Sequence, residues 1–457
     1  MEGKVKPKSC FTEKLKSIPM IQSFIMPRFL KSISILLLLT LTLASCKRET
    51  LGIFSPKTEK ERYLQQLKAS GIDKSILGKS WVAAGNEALN NPPQLDIPAA
   101  IRGSFKSKSV QANAWQLNLQ KGATLQVAFI WESQDSSRVF LEIIDAKSMK
   151  DEMATTSFDE RIEFEAEQSG TYFIRIQPEL MAEGNYDLIV ENRSTYAIFP
   201  VQGKTSAAIQ SFWGAGRDGG QRKHEGIDIF AVRGTPVVAP VSGVVTSVKE
   251  TGRGGKQVWL RDNKRGWNLY FAHLDSQTVN NLQRVSPGDT LGLVGNTGNA
   301  KTTPPHLHFG IYSSGAFDPF PVVKDNYSKA ISGNLPLENE VMLVRSATAN
   351  LRQGPSTDFA SLAMLDSKTP VWVESAVGEW YQVRTPTGIK GFLSANLLAA
   401  PQETSLSNSA SYVFRDPFAA PSDSIYVALD NFVKIGSYLE YDLIRDRDDN
   451  LFFVPIL

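Results

Sequence analysis

The sequence predicts a mainly β, multi-domain protein with a short helical spacer near its N-terminus. Short segments alternate apolar and polar residues between turn residues, as at 115–119 and 172–176, and this is the period of half-buried strands. Hydrophobic residues make up 42% of the 457 residues, enough for several separate cores. The net charge is +2 and the charges are interspersed, so nucleic acid is not an expected partner.

Residues 1–46 have the pattern of a signal peptide rather than of a folded domain. Basic residues precede an apolar run at 33–43, which is too short for a spanning helix and ends in Leu-Ala-Ser-Cys. This ending resembles the lipobox of bacterial lipoproteins, which implies cleavage before Cys46 and a lipid anchor on that cysteine. A buried helix or an uncut anchor is the alternative. The long polar preface indicates that translation begins at Met20 or Met26.

Residues 47–96 are predicted to form the helical spacer. A first helix is predicted at 57–69, where apolar residues share one face and Ser70-Gly71 provides a C-terminal cap. A second helix is predicted from Ser80, as its N-cap, to about Leu89, before a run of asparagines and prolines. The expected role of this region is to separate the following domains from the membrane.

Residues 97–198 contain turn-bounded segments that alternate at the strand period, and their spacing predicts an antiparallel β-sandwich. The runs Gly170-Thr171-Tyr172 and Gly184-Asn185-Tyr186-Asp187-Leu188 make this region similar to the prepeptidase C-terminal domains found beside secreted peptidases. Nothing in the region has catalytic spacing. An accessory or binding role is therefore expected.

All the histidines of the chain lie within residues 223–311. They are His224, His273, His306 and His308. The last two alternate with apolar residues, as in a half-buried strand, so both imidazoles are expected on one face. For a single histidine, a satisfied position in the core or at the surface is the ordinary alternative. Four that converge favour catalysis.

The clustered histidines also suggest a metal site. His306 and His308 would supply ligands from one strand, and the pair His224 and Asp228 would supply further ligands. The offset of four is even, and Ile227 and Ile229 favour a strand that aligns the pair. The helical His-Glu-x-x-His motif is excluded, because position 228 is Asp and Glu225 would point away. Two imidazoles and one carboxylate suit zinc and leave a fourth position for water, which is the pattern of a catalytic site.

Several motifs follow one another over residues 205–325. They are His224-x-Gly226-x-Asp228, Gly234-Thr235-Pro236-Val237-Val238-Ala239-Pro240, Tyr270-Phe271-Ala272-His273-Leu274, Pro287-Gly288-Asp289, Gly295-Asn296-Thr297-Gly298 and His306-Leu307-His308-Phe309. Together they resemble the catalytic domain of the lysostaphin-type zinc metallopeptidases. The resemblance implies that His224, Asp228 and His308 bind one zinc ion and that His273 and His306 are the catalytic pair. The content of Gly, Val and Pro predicts an antiparallel β-sheet with long glycine loops framing a groove.

Two departures from the family pattern flank His306 and His308. Thr303-Pro304-Pro305 stands where the family has Thr-Gly-Pro, and Gly310 follows Phe309. The first departure is expected to reshape the loop before the ligand strand and to alter substrate fit. It removes no ligand.

The resemblance implies a zinc endopeptidase that hydrolyses peptidoglycan peptides. His306 is expected to take the proton of the zinc-bound water, and His273 to stabilise the oxyanion or protonate the departing amine, although these roles are exchangeable. The alternative is a non-catalytic or autoinhibited relative that binds wall and activates other wall hydrolases. The intact polar positions count against it. The expected location is the outer membrane, facing the periplasm, because lipoproteins with such accessory domains most often act there.

Residues 339–400 resemble a bacterial Src-homology-3-like domain, a small β-barrel that often accompanies cell-wall hydrolases. The resemblance is carried by Ala349-Asn350-Leu351-Arg352, Glu379-Trp380-Tyr381 and Gly391-Phe392-Leu393. This domain is expected either to bind wall or to pack against the enzyme. Residues 412–457 return to strand-like alternation, and they either add strands to the barrel or form a small module of their own.

Overall fold

The computed structural model describes residues 57–456, apart from 157–160, 326, 338–339, 407–409 and 419. Strands dominate this part of the chain, so the predicted mainly β, multi-domain class is confirmed. The predicted signal peptide at 1–46, with Cys46, lies outside the described residues. Among the residues that are described, no helix is long and apolar enough to cross a membrane.

Two helices open the described part of the chain. They are α1, Glu59–Ala69, and α2, Ile76–Glu87. Helix α1 begins two residues later than predicted, after a capping box at Thr58, and its C-cap is Ser70, as predicted. Helix α2 begins earlier than predicted, because the Ser75 hydroxyl accepts a hydrogen bond from the backbone N–H of Gly78 and so caps it. The predicted start at Ser80 is wrong, since that residue lies inside the helix.

Both helices pack on the sandwich. Leu67 of α1 and Trp81 of α2 are buried against Phe140, and the Trp81 indole Nε1 donates to the carbonyl oxygen of Pro178 at 2.7 Å. The apolar face predicted for the first helix is present, but a strand of the sandwich covers it. These helices are therefore part of the folded body, and their expected role in separating the following domains from the membrane stays a prediction.

The strands between residues 99 and 193, outside the gap at 157–160, form an antiparallel sandwich, as predicted. They are β1 Ala99–Phe105, β2 Asn113–Leu119, β3 Thr124–Ser133, β4 Val139–Asp145, β5 Lys150–Thr156, β6 Arg161–Glu165, β7 Gly170–Pro178 and β8 Gly184–Arg193. One sheet has the order β2-β7-β4-β5, and β1-β8-β3-β6 run together in the other. Trp115, Leu125 and Ile174 are fully buried between them, because alternate residues of each strand face the opposite sheet.

The histidine-containing region folds as an antiparallel sheet, as predicted, with a smaller sheet beside it. Its elements are β9 Ile209–Ser211, β10 Gly216–Arg217, β11 Arg222–Lys223, β12 Ile227–Phe230, β13 Pro236–Val238, β14 Gly243–Thr251, β15 Gly255–Asp262, β16 Trp267–Leu274, β17 Ser276–Gln277, β18 Arg284–Val285, β19 Thr290–Leu293, β20 His306–Tyr312, β21 Ala316–Phe317 and the short helix α3 Phe320–Val323. The main sheet has the order β18-β14-β15-β16-β20-β12-β9, and β21 pairs with β20. The smaller sheet is β13-β19-β17, and β10 with β11 forms a hairpin.

A polar junction holds this region against the sandwich. The Arg265 guanidinium donates to the Glu165 carboxylate at 2.7 Å and to Asp262 Oδ2 at 3.1 Å. Tyr196 lies beside this cluster, with its hydroxyl donating to Asp262 Oδ2 at 2.9 Å and its backbone N–H to the Val322 oxygen at 3.1 Å. The sheet that carries the histidines is thereby fixed to the preceding region.

The barrel-like region shares a sheet with the sandwich. Its strands are β22 Val341–Val344, β23 Thr348–Arg352, β24 Ser361–Asp366, β25 Pro370–Val377, β26 Trp380–Arg384, β27 Lys390–Ser394 and β28 Leu398–Ala399. Strand β25 pairs with β1, with Ile101 opposite Val377. The Trp115 indole donates to Gln382 Oε1 at 2.6 Å, and Phe392 is buried in the sandwich core. The region thus packs closely against the sandwich.

The C-terminal residues form a small β-module of their own. Its strands are β29 Thr404–Ser405, β30 Ala410–Val413, β31 Ile425–Ala428, β32 Val433–Tyr438, β33 Tyr441–Arg445 and β34 Leu451–Pro455. The sheet order is β29-β32-β33-β34, and β30 pairs with β31. Ile435 and Phe453 pack against Val341 and Trp372 of the barrel-like region, so the module is joined to that region by an apolar contact.

Candidate metal centre

Three adjacent strands build the floor of the site. In β20, Leu307 and Phe309 are fully buried in the core, so His306 and His308 lie on the opposite face, as the alternation predicted. Strand β12 pairs with β20 on one side and places Asp228 opposite His308, and β16 pairs on the other side and places Ala272 opposite His308. The sheet register therefore brings Asp228 and His308 together.

His224 reaches the site from outside the strand. Strand β12 begins at Ile227, so the prediction that one strand carries both His224 and Asp228 is wrong. The His224 N–H instead donates to the oxygen of Ala215 at 2.8 Å, and Gly226 carries the chain into the sheet. A Cβ at Gly226 would lie 2.7 Å from Cε1 of His308, so glycine permits the close approach. Glu225 is exposed and His224 is buried, which agrees with the exclusion of a helical motif.

His224, Asp228 and His308 present one ligand atom each to a common point. His224 Nε2 lies 2.9 Å from His308 Nδ1 and 3.1 Å from Asp228 Oδ1, and His308 Nδ1 lies 3.0 Å from Asp228 Oδ1. Tetrahedral zinc ligands at about 2.0–2.1 Å from the metal are roughly 3.3 Å from one another. The three atoms fit a zinc ion with small outward shifts.

Hydrogen bonding and burial leave His224, Asp228 and His308 in forms that can bind a metal. The Nδ1–H of His224 donates to the carbonyl oxygen of Phe212 at 3.0 Å, which leaves the lone pair of the neutral ring on Nε2, the atom that faces the site. Burial opposes the charge on Asp228, but the His224 and His308 side chains beside it hold the pKa of its carboxyl well below its usual range. Burial lowers the pKa of His308, so a neutral imidazole is available to a metal.

The second histidine pair lies beside the triad. The ring centre of His273 is 5.1 Å from that of His306 and 5.9 Å from that of His308. His273 Nδ1–H donates to the Thr297 oxygen at 2.9 Å, and His306 Nδ1–H donates to the Pro304 oxygen at 2.8 Å. Each neutral ring thus keeps its lone pair on Nε2. Burial and the neighbouring imidazoles lower the pKa of His273 to about 4.

His273 also has an unusual backbone. Its φ is +62°, in the left-handed region that non-glycine residues seldom adopt, and its N–H donates to the oxygen of Gly254 at 2.8 Å. Such strain persists where the surrounding structure enforces it, and it concentrates at functional sites. The geometry places the His273 ring close to His306 at the end of β16.

One departure from the family pattern has a structural reason, and the other leaves the support of His306 intact. Pro304 still has a carbonyl oxygen, and this oxygen holds His306 in its orientation. A Cβ at Gly310 would lie 3.0 Å from the Tyr312 ring and 3.1 Å from the oxygen of Glu225. Glycine at this position therefore allows the Tyr312 ring to lie over the strand beside the site. Neither departure displaces a predicted ligand.

Sequence reasoning missed Arg217 and an aromatic group beside the metal triad. The Arg217 guanidinium donates to the carboxylate of Asp228 at 2.6 Å, although nothing in its spacing from the histidines indicates that contact. Tyr270 packs on Trp259 with ring centres 4.5 Å apart and on His308 at 5.7 Å. The period-2 alternation of β15 and β16 was the available signal for these aromatic residues, since their register places them on the face that carries the site.

Comparison with known proteins covers two parts of the chain. Residues 222–319 match Peptidase family M23, and residues 347–399 match the bacterial SH3 domain. An L-Ala–D-Glu endopeptidase of Bacillus subtilis is 38% identical over 136 residues, which are 27% of this chain and 41% of that protein. Lysostaphin of Staphylococcus simulans is 35% identical over 123 residues, which are 25% of this chain and 24% of that protein. The chain spans less than half the length of each of these relatives.

A solved structure gives a similar match. The catalytic domain of lysostaphin from Staphylococcus simulans is 32% identical, covers 25% of this chain and 90% of that chain, and has a TM-score of 0.23. The assignment of these two regions rests on the family matches alone. Residues 222–319 are a lysostaphin-like domain of peptidase family M23, and residues 347–399 are a bacterial SH3 domain.

Proposed function

We propose that this protein is a zinc-dependent endopeptidase that hydrolyses peptide bonds of peptidoglycan in cell-wall remodelling. The observation that carries the proposal is the convergence of one carboxylate oxygen and two imidazole nitrogens within 3.1 Å of one another, with two further imidazoles alongside. A structural zinc site would need a fourth protein ligand, whereas three ligands leave a position for water. The triad consists of His224, Asp228 and His308.

The reaction would use the side chains as follows. Zinc, when bound, would lower the pKa of its water to about 7 and polarise the scissile carbonyl. His306 would accept the water proton at Nε2, because its Nδ1 is engaged with the Pro304 oxygen. His273, whose ring lies beside that of His306, would stabilise the oxyanion or protonate the departing amine from Nε2 once the proton released by the water has reached it. The same hydrogen-bonding pattern at both rings makes these roles exchangeable.

Peptidoglycan is the proposed substrate because of the family of the domain and the names of its relatives. One relative is called an L-Ala–D-Glu endopeptidase and another lysostaphin, and the bacterial SH3 domain is suited to contact with wall. The proposed location is the cell envelope, with a lipid anchor on Cys46 in an outer membrane and the enzyme facing the periplasm. Mass spectrometry of the membrane-extracted protein would reveal fatty acids on Cys46, and an unmodified thiol there would contradict the anchor.

The test combines metal analysis with wall digestion. Purified wild-type protein is expected to carry one zinc ion and to release new amino groups from isolated peptidoglycan. His306→Ala should keep most of the zinc and lose cleavage by a factor of about 100 or more, because a general base is typically worth 10²–10⁴. His308→Ala should lose both. A wild-type protein that binds wall and zinc but releases no amine would contradict the enzyme and favour a regulatory relative.

A further inference from the structure

The hairpin β10–β11 contributes two side chains to the metal centre. Gly216 pairs with Lys223 and Arg217 with Arg222, and the backbone pairing continues to His224, whose N–H donates to the oxygen of Ala215. The hairpin that presents a predicted ligand therefore also presents Arg217 on its other strand. This arrangement couples the position of Arg217 to that of the ligand.

Arg217 makes short contacts to the support of the triad. Its Nη2 donates to Asp228 Oδ2 at 2.6 Å and to the Ser211 hydroxyl at 2.7 Å. The same hydroxyl lies 3.3 Å from His224 Nδ1. The side chain of Arg217 is 31% exposed and that of Asp228 10%, so the ion pair is largely shielded from water. Charge-assisted hydrogen bonds of this kind are short and directional.

The two oxygens of the Asp228 carboxylate have different partners. Oδ2 of Asp228 is taken by Arg217, and Oδ1 faces the nitrogens of His224 and His308. A carboxylate held at one oxygen cannot rotate freely or turn both oxygens toward a metal. Ser211 contributes by holding the guanidinium, and it also lies next to His224.

We propose that Arg217 is a positioning residue that fixes Asp228 as a single-oxygen zinc ligand. The inference rests on the zinc site of the proposed function. Two effects of the guanidinium oppose each other, since its charge repels a dication while its hydrogen bond orients the carboxylate. Outer-shell partners of metal ligands commonly contribute 10- to 100-fold in metal affinity, so orientation is expected to prevail over repulsion at Asp228.

The test measures zinc affinity by competition with a chromophoric chelator, using the full protein. Arg217→Met should weaken zinc binding about 10- to 100-fold and change the visible absorption of the cobalt-substituted protein, because the coordination of Asp228 changes. Arg217→Lys should restore part of the affinity, since an ammonium can still donate to Oδ2. Ser211→Ala should produce a smaller loss. Metal-free unfolding temperatures establish that each variant is folded.

Arg222→Met is the matched control. Arg222 lies on the same hairpin and pairs with Asp218, not with the metal triad, so its replacement should leave zinc affinity and the cobalt spectrum unchanged. Equal or tighter zinc binding by folded Arg217→Met would overturn the positioning role. If Arg217→Met does not fold, Arg217→Ala takes its place, and unchanged zinc affinity in that folded variant would overturn the positioning role. A wild-type protein that binds no zinc would overturn the proposed function and this inference together, whereas wild-type zinc binding without cleavage would leave the inference intact.

Discussion

Two buried carboxylates in this molecule, Glu142 and Asp228, differ in the number of cations that contact them. Glu142 of the sandwich accepts hydrogen bonds at one oxygen from the Lys60 ammonium at 2.8 Å and from Arg175 at 2.6 Å. Asp228 of the candidate metal centre accepts from the single cation Arg217 at one oxygen and faces imidazoles with the other. Glu142 thus has two cationic partners within the protein, and Asp228 has one.

The difference shows how a binding site can be told from a structural ion pair. Buried charges are stable only when they are paired and hydrogen-bonded, and the protein supplies two cationic partners to Oε2 of Glu142. Around Asp228 the neighbouring groups His224 and His308 are bases whose nitrogens converge on one point, so an added cation would complete the cluster. The first arrangement joins helix α1 to the sandwich. The second is suited to a metal ion.

Among the predicted changes, the largest is the loss of zinc affinity in Asp228→Asn. This change removes the anionic ligand and leaves Arg217 facing a neutral amide, so zinc affinity should fall by more than the roughly 100-fold that loss of an outer-shell partner can cost. Competition with a chelator measures the loss. Glu142→Gln is the matched control, because it neutralises the other buried carboxylate and should leave zinc affinity unchanged. Near-normal zinc binding by Asp228→Asn would contradict the proposed ligand set.

The candidate site could be predicted in part from the sequence. His306 and His308 could be placed on one face because strand alternation is a local property of the chain. The path of His224 could not, since the hairpin strand β11 ends at Lys223 and the next strand, β12, begins only at Ile227. The contact from Arg217 depends on how the hairpin folds over β12, and no local period encodes such a tertiary path.

The next effect in size is on stability, in the Glu142→Gln variant. The change leaves Lys60 and Arg175 as buried cations without an anionic partner, and breaking a buried pair costs about 3 to 5 kcal/mol. Hydrogen exchange should therefore accelerate in α1 and in the sandwich strands β4 and β7. Glu132→Gln, at an exposed position of the same sandwich, should change exchange little. Unchanged protection of α1 in Glu142→Gln would show that the ion pair does not hold the helix.

The fold could be predicted locally more than globally. The apolar face of α1 follows from residue spacing, but its partner Phe140 lies on a distant strand. Likewise, the alternation of β25 indicates a strand without indicating that β1 pairs with it. The sequence does not indicate that Lys60 is buried. Its ammonium can be buried only because the tertiary fold places the carboxylate of Glu142 beside it. The local periodicity of apolar residues therefore predicted the helices and strands. The contacts between regions depended on residues far apart in the chain.

The smallest effect is the pH dependence contributed by Lys60. Burial, which outweighs the attraction of Glu142, lowers the pKa of Lys60 to about 8. The folded protein therefore releases this proton at lower pH than the unfolded chain, whose lysine pKa is about 10.4. Between these values the unfolded chain binds more protons, so this group's contribution to the free energy of unfolding should rise with pH.

The Lys60 prediction can be isolated by difference. Protection of α1 from hydrogen exchange, corrected for the intrinsic rate at each pH, should rise from pH 8 to 9.5 in the wild type relative to Lys60→Met, which has no ammonium to lose. The rise should be smaller than the loss in Glu142→Gln, because Arg175 continues to donate to Glu142 when Lys60 is neutral. A wild-type difference that falls with pH would mean that attraction to Glu142 exceeds the burial penalty.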